Sequence, residues 1–202
     1  MTKIKLCGLS RECDIDAANE LRPDLIGFVF AKKSKRYVPP ETAAELKHRL
    51  VPEIRAVGVF VNEAPETVAR LLNDGVIDAA QLHGSEDAAY IRRLRGFTDR
   101  PLIQAFRIAS EADLRRAEAS SADEILLDAG AGNGRVFDWN LLLGAKRRYF
   151  LAGGLDPRIV RGAIRSLRPY GVDVSSGIET GGVKDPEKMA AFVAAVREES
   201  AI

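Results

Sequence analysis

Short apolar segments alternate with amphipathic segments along the whole chain, and eight apolar segments can be counted. They are rich in Ile, Val, Leu and Phe, as expected of strands that are buried in a parallel sheet. Their starts lie about 20 to 30 residues apart, which is the length of one strand–helix unit. The predicted strands are Lys3–Cys7, Asp24–Phe30, Ile54–Val61, Ala79–His83, Pro101–Ile108, Glu124–Asp128, Tyr149–Gly153 and Gly171–Ser175.

The amphipathic segments between these strands predict helices. Pro65–Leu72 starts with Pro and Glu, which are favoured in the first turn of a helix. In Asp156–Ile164, Asp156 is the predicted N-cap and Pro157 takes the first helical position. The same pattern predicts helices at Glu41–Leu50, Glu111–Ala119 and Pro186–Glu199.

Eight strand–helix units in one undivided chain predict an α/β protein, a (β/α)₈ TIM barrel that forms a single small domain over residues 1–202. The alternative is an open, doubly wound sheet, which shares the alternation of strands and helices. The count of eight favours the barrel. So does the first strand, because no Gly-x-Gly-x-x-Gly sequence follows it.

The composition is that of an ordinary soluble globular protein, since 46% of the 202 residues are hydrophobic and 29% are charged. Lys and Arg number 30 and Asp and Glu 29, so the net charge is +1 and no overall field favours nucleic acid or a membrane surface. No apolar run approaches the ~20 residues that span a bilayer, and the N-terminus has no signal-peptide core. Cys7 and Cys13 form neither a zinc pattern nor a disulfide framework, and we therefore expect a cytoplasmic protein.

In a barrel, functional side chains should lie where strands end and the following loops begin. Apolar strands have little reason to end on a thiol, an imidazole or a carboxylate. The polar and glycine positions at these ends are Cys7, the loop Lys32–Arg36, Asn62, His83, Arg107, Asp128, Gly153-Gly154 and Ser175-Ser176-Gly177.

Cys7 and Asp128 each allow two interpretations. Cys7 is either a small buried hydrophobic residue or a thiolate that acts as a base or nucleophile. Asp128 is either a turn-forming residue or a catalytic carboxylate, and it precedes the glycine-rich loop Ala129–Gly134. Cys13 is expected to pack against or cap the first helix, and His48 is expected to face solvent.

The loops after the seventh and eighth strands predict a phosphate site, because glycines let bare amides approach an anion at a helix N-terminus. Simple turn chemistry is the alternative for Gly153-Gly154 and Ser175-Ser176-Gly177. Arg36 lies in a basic loop, where it is either solvated or a clamp for a carboxylate. His83 is either a rim residue with partners of its own or a substrate contact.

Together, these segments resemble the phosphoribosylanthranilate isomerases of tryptophan biosynthesis. The resemblance runs in order from the first strand to the last helix, and the ordered set of motifs is specific although each one alone is weak. The motifs are Lys5-Leu6-Cys7-Gly8-Leu9, Gly27-Phe28-Val29-Phe30, Ser34-Lys35-Arg36-Tyr37-Val38, Gly58-Val59-Phe60-Val61, Gln81-Leu82-His83-Gly84, Leu127-Asp128, Phe137-Asp138-Trp139, Leu151-Ala152-Gly153-Gly154-Leu155, Asp173-Val174-Ser175-Ser176-Gly177-Ile178-Glu179 and Gly182-Val183-Lys184-Asp185.

The resemblance implies an Amadori rearrangement of N-(5-phosphoribosyl)anthranilate to 1-(2-carboxyphenylamino)-1-deoxyribulose 5-phosphate. It implies that Asp128 is the general acid that opens the ribose ring and that Cys7 is the general base at C2′. It also implies that Arg36 holds the anthranilate carboxylate and that the amides near Gly154, Ser176 and Gly177 hold the phosphate. The further substrate contacts that we expect are His83, Gly153, Asp173 and Ser175. No metal or cofactor is expected, and the chain is expected to be a monomer or homodimer.

The sequence leaves three other functions as alternatives. The sister isomerase of histidine biosynthesis, or an enzyme that serves both pathways, has a similar fold and phosphate site. That family has a carboxylate at the end of the first strand, so Cys7 argues against it. A non-catalytic barrel that binds phosphosugars would not need both Cys7 and Asp128. A Schiff-base aldolase is disfavoured because no Lys ends a late strand.

Overall fold

The computed structural model describes residues 1–129 and 139–200, and all eight predicted strands are present in it. Each lies within its predicted limits, with at most one residue lost at either end. The strands are β1 Lys3–Cys7, β2 Leu25–Val29, β3 Arg55–Phe60, β4 Ala79–Leu82, β5 Leu102–Arg107, β6 Glu124–Asp128, β7 Tyr149–Ala152 and β8 Gly171–Val174.

The sheet closes on itself in the order β1 to β8, and every neighbouring pair of strands is parallel. Closure is visible at β1, where Lys5 lies opposite Leu25 of β2 on one side and Asp173 of β8 on the other. The predicted TIM barrel is therefore confirmed, and the open sheet is excluded.

Seven α-helices cover the outside of the described barrel, and the ends of several follow from local sequence. Pro is the first residue of three helices, while the Asp87 and Ser110 side chains accept hydrogen bonds from backbone amides at the starts of two others. No helix in the described residues combines the length and apolar character needed to cross a bilayer. The helices are α1 Glu12–Leu21, α2 Pro40–His48, α3 Pro65–Asn73, α4 Ala88–Arg95, α5 Glu111–Glu118, α6 Val160–Leu167 and α7 Pro186–Ser200.

Between β6 and β7 the described chain forms a short 3₁₀ helix, Trp139–Leu142. The glycine-rich run Gly130–Gly134 and the motif residues Phe137 and Asp138 lie outside the described residues. After β8 a second 3₁₀ helix, Ser176–Ile178, leads into a small antiparallel hairpin. Its strands are β9 Glu179–Thr180 and β10 Val183–Lys184.

Two local predictions were wrong. The sixth α-helix begins at Val160, so its predicted start next to Asp156 was too early. The Asp156 carboxylate does accept hydrogen bonds from the amides of Arg158 and Ile159, as an N-cap does, but it caps a separate turn that precedes the helix. Cys13 neither packs nor caps: it lies exposed within α1, whose N-cap is Arg11. The prediction that His48 faces solvent is confirmed.

Side chains of each strand alternate between the helices and the barrel interior. Ile4 and Leu6 of β1 belong to the apolar layer under the helices, whereas Lys5 and Cys7 point inward. The lower interior is apolar and is filled by Leu25, Val57, Ala79, Ile103, Ala105, Leu126, Phe150 and Ala152. Polar residues that point into the barrel, such as Lys5, are therefore exceptions in an otherwise apolar interior.

We expect Gly162→Ala to raise the free energy of unfolding by about 0.5–1 kcal/mol, because Gly lowers helix stability relative to Ala. Gly162 lies inside α6, and a Cβ there would meet nothing within 4 Å. Gly75→Ala is the matched control, since the space is equally open but φ is +74°. That variant should be destabilised. Urea unfolding measures both, and a loss of stability in Gly162→Ala would contradict the prediction.

Candidate active site

A cavity of about 980 Å³ opens at the carboxyl end of the barrel. Nine of the ten residues predicted to form the site line it: Cys7, Arg36, His83, Asp128, Gly153, Gly154, Asp173, Ser175 and Ser176. They come from strands and loops spread around the rim. The loop lysines Lys32, Lys33 and Lys35 are exposed, and neither they nor the predicted rim residues Asn62 and Arg107 line the cavity.

The Cys7 thiol lies at the end of β1, only 7% exposed, against the backbone of β2. Cys7 and Gly27 are opposite one another in the sheet, and a Cβ at Gly27 would come within 2.7 Å of Cys7 Sγ. Glycine at this strand position therefore makes the room that the sulfur occupies. Burial raises the pKa of the Cys7 thiol, and the charge of Lys5 opposes that rise.

Lys5 was not predicted from the sequence to have a role in the site. It is completely buried, and its Nζ donates a hydrogen bond of 2.8 Å to Asp173 Oδ1. Burial lowers the pKa of Lys5, but Asp173 and Cys7 outweigh it, so the pKa is raised and the side chain is a cation. The available signal was its spacing from Cys7, since residues two apart on a strand share a face.

The His83 side chain, at the end of β4, lies next to that of Asp128, at the end of β6, at the mouth of the barrel. Its Nε2 is 3.7 Å from Asp128 Oδ2, and its Nδ1 is 2.8 Å from Nε2 of Gln81. When the Gln81 amide donates to Nδ1, the neutral imidazole carries its proton on Nε2, facing the carboxylate. Gln81 was likewise not predicted from the sequence to belong to the site, although it lies on the inward face of β4, two residues before His83.

Arg36 reaches over the start of the β1–α1 loop, so that a Cβ at Gly8 would lie 2.5 Å from its Cδ. Its Nε and Nη2 donate to the two oxygens of Glu179 at 2.6 and 2.8 Å. Lys184 also donates to Glu179, at 2.6 Å. Burial raises the pKa of Glu179, but these two cations outweigh it and lower the pKa to about 2. Glu179 therefore holds Arg36 in place through Nε and Nη2, and no acceptor among the described residues binds its Nη1.

The two predicted phosphate loops meet at one side of the cavity. Gly153 and Gly154 have φ of +95° and +68°, a backbone conformation that glycine adopts without strain. Among the described residues, the Gly154 amide has no hydrogen-bond acceptor. Gly177 does not line the cavity, because it packs against the other loop: a Cβ there would lie 1.9 Å from the carbonyl oxygen of Leu155.

An apolar wall faces these polar groups. Val29 and Val59, at the ends of β2 and β3, form a small cluster with Cys7 and Ala31. Val61 lies further along the same wall and is 47% exposed at the cavity rim. The cavity is thus apolar on the side of β2 and β3 and anion-attracting at Arg36. In the described part of the chain, no group of three or more His, Cys, Asp or Glu side chains is placed to hold a metal ion.

Comparison with known proteins gives one consistent result. Residues 4–195 match the family described as N-(5'-phosphoribosyl)anthranilate (PRA) isomerase. The protein of that name from Dechloromonas aromatica (strain RCB) is 46% identical over 205 residues, which cover 98% of this chain and 97% of the relative.

Solved structures agree with the sequence match. The crystal structure of phosphoribosyl anthranilate isomerase from Thermotoga maritima has a TM-score of 0.90 at 37% identity, covering 98% of this chain and 100% of its own. A crystal structure of a phosphoribosyl anthranilate isomerase in complex with reduced 1-(o-carboxyphenylamino)-1-deoxyribulose 5-phosphate has a TM-score of 0.88 at 37% identity, covering 98% of this chain and 100% of its own. Because the family match and these relatives span almost the whole chain, the chain belongs to the N-(5'-phosphoribosyl)anthranilate isomerase family.

Proposed function

We propose that this barrel isomerises N-(5'-phosphoribosyl)anthranilate to 1-(2-carboxyphenylamino)-1-deoxyribulose 5-phosphate, with Asp128 as general acid and Cys7 as general base. One observation carries the assignment: a thiol and a carboxylate on separate strands line a single cavity that is also lined by Arg36 and by the loops after β7 and β8. The reaction needs one proton donor and one proton acceptor near the same sugar.

The substrate has an anionic group at each end, and the cavity offers a different anchor for each. Arg36, already held by Glu179, is the partner for the anthranilate carboxylate. The amide of Gly154, together with the backbone of Ser176 on the facing loop, is the partner for the phosphate. The aromatic ring then lies along the apolar wall of Val29 and Val59.

Proton transfers follow from this placement. Asp128 donates its proton to the ribose ring oxygen, the bond from that oxygen to C1′ breaks, and a protonated Schiff base forms between C1′ and the anthranilate nitrogen. The Cys7 thiolate then removes the C2′ proton, which gives an enolamine that tautomerises to the ketone. His83, with Nε2 at 3.7 Å from Asp128, is placed to stabilise the carboxylate once its proton has left.

The direct test is turnover by the purified protein. Phosphoribosylanthranilate, generated in situ from its precursors, loses its anthranilate-type fluorescence as it is converted. Loss of emission that depends on the protein, with formation of the carboxyphenylamino-deoxyribulose phosphate, would support the proposal. Binding of the substrate without turnover would identify a phosphosugar-binding barrel instead.

We expect Cys7→Ser and Asp128→Asn each to lower kcat at least 10²-fold while KM changes little, because a positioned proton-transfer group contributes about 10²–10⁴-fold. A serine hydroxyl keeps the shape of Cys7 but is a far weaker base near neutral pH. Cys13→Ser is the control, since Cys13 is exposed and outside the cavity, and its kcat should equal that of the wild type. Near-normal kcat in Cys7→Ser would assign a structural role to the thiol.

Removal of the Arg36 guanidinium should specifically weaken binding of the anthranilate carboxylate. We expect Arg36→Met to raise the Kd of the product by an amount that corresponds to about 2–5 kcal/mol. Glu179 keeps its bond to Lys184 in this variant, so no buried carboxylate is left alone. A product analogue without the carboxylate should bind wild type and variant almost equally, and calorimetry measures both. A carboxylate preference that persists in the variant would place the clamp elsewhere.

The phosphate anchor can be tested with Gly154→Val, which forces a β-branched residue to a φ of +68°. We expect a higher KM and weaker inhibition by inorganic phosphate. Gly181→Val is the matched control, because Gly181 has a φ of +62° and similar open space but lies in the β9–β10 turn outside the cavity. If phosphate inhibits the folded Gly154→Val enzyme as strongly as the wild type, the phosphate does not bind at this loop.

A further inference from the structure

Lys5 is a charged side chain in the interior of the barrel. It is completely buried, and the interior cluster nearest the base of the barrel consists of apolar residues such as Leu25 and Phe150. Lysine is almost never buried without a compensating partner, because removing an ammonium group from water is strongly unfavourable. Its presence two residues before Cys7 on β1 therefore requires a physical reason.

The partner of Lys5 is Asp173 on β8. The two residues lie opposite one another in the sheet, and their side chains are 0% and 8% exposed at a separation of 2.8 Å. Replacing such a buried ion pair with apolar residues is commonly neutral or even stabilising, so stability alone is a poor explanation for it. What distinguishes this pair is its position one inward-facing residue below Cys7 on β1, where the Lys5 side chain contacts the thiol.

Four charged groups act on Cys7. Lys5, from the same strand, makes the strongest contribution in favour of the thiolate, mainly through its charge, and Lys184 of β10 contributes in the same direction. Arg36, from the loop after β2, also interacts with the Cys7 charge. Asp173 opposes the thiolate, although less strongly than Lys5 favours it. Burial also opposes it, and burial is the largest single influence on the thiol.

We propose that Lys5 is a positioning residue of the reaction: its ammonium, fixed by Asp173, stabilises the Cys7 thiolate and so determines the pH at which Cys7 can take a proton. The inference rests on the proposed function, in which Cys7 removes the C2′ proton. Lys5 neither gains nor loses a proton in that step, and it is too deeply buried to touch the substrate. Asp173 has the distinct task of holding the ammonium below the sulfur.

The test compares thiolate formation in variants of the full chain that carry Cys13→Ser, so that Cys7 is the reactive thiol. The alkylation rate of Cys7 with iodoacetamide is measured against pH, and mass spectrometry confirms the modified residue. We expect Lys5→Met to move the pH midpoint of Cys7 alkylation upward by at least one pH unit, because the fraction of Cys7 present as thiolate at neutral pH falls at least tenfold. The kcat should fall by a similar factor with little change in KM, and the pH profile of kcat should shift with the thiol.

Lys3→Met is the matched control. Lys3 is on the same strand and is also paired with an aspartate, Asp24, at 2.5 Å, but it is 41% exposed and is not among the groups that act on Cys7. In Lys3→Met, the pH midpoint of Cys7 alkylation and the pH profile of kcat should equal those of the Cys13→Ser parent. A merely structural effect of losing a lysine–aspartate pair on β1 would appear in both variants.

Lys5→Met leaves Asp173 buried without its cation, and this variant can fail to fold. Lys5→Met/Asp173→Asn removes both charges and leaves none uncompensated. Because the influence of Lys5 on Cys7 exceeds that of Asp173, the midpoint should still rise, although by less. Circular dichroism and urea unfolding establish which variants are folded.

The outcomes separate this inference from the proposed function. An unchanged Cys7 midpoint in the folded variants overturns the role of Lys5, whatever Cys7 does in the reaction. A raised midpoint together with a lowered kcat supports it. If the midpoint rises but kcat stays constant over the whole pH range, Lys5 does act on the thiol, and it is the assignment of Cys7 as the base that fails.

Discussion

Closure of the parallel sheet is the constraint on which the site depends. In a closed barrel every strand ends at the same rim, and every second residue of a strand points inward. Groups that are far apart in the sequence, such as Cys7, His83 and Asp128, therefore line one cavity without any long connecting loop. The helices outside contribute by packing on the outward residues, Ile4 and Leu6 among them, which keeps the register of the strands fixed.

The same geometry explains how charge is tolerated inside the barrel. Neighbouring strands place residues of equal height opposite one another, and Lys5 and Asp173 meet in this way across β1 and β8. At the rim, Glu179 is shared between Arg36 and Lys184, so two cations are oriented by one carboxylate. These arrangements are held by side chains of the protein itself, so the interactions with an anionic substrate need little reorganisation of the protein.

The sequence was sufficient for the barrel because the strands are short, apolar and evenly spaced. It was also sufficient to predict Cys7, His83 and Asp128 as rim residues, since strand ends are read directly from where an apolar run stops. Glu179 and Lys184 could not be given partners in this way. Their contacts to Arg36 and Ser175 depend on how the β9–β10 hairpin folds back over the rim, and residue periodicity has no information on that. Lys5 was within reach of the alternation rule, because it shares an inward face with Cys7.

The start of α6 shows a second reason why local sequence does not fully predict the structure. Asp156 and Pro157 are good signals for a helix start, and the Asp156 carboxylate does accept hydrogen bonds from two amides as an N-cap would, yet the turn that it caps stands apart from α6. Local hydrogen bonding allows both outcomes, and the path of the chain from β7 selects one of them. Helix limits near a functional loop are therefore less securely predicted than the strands that carry the loop.

The contact between Gly177 and the carbonyl oxygen of Leu155 joins the loop after β7 to the loop after β8. No side chain fits between them, so neither loop can be lengthened or reshaped while the other stays as it is. For protein engineering the two loops are a single module: a graft intended to accept a different anion must carry both, together with the glycine at which they touch.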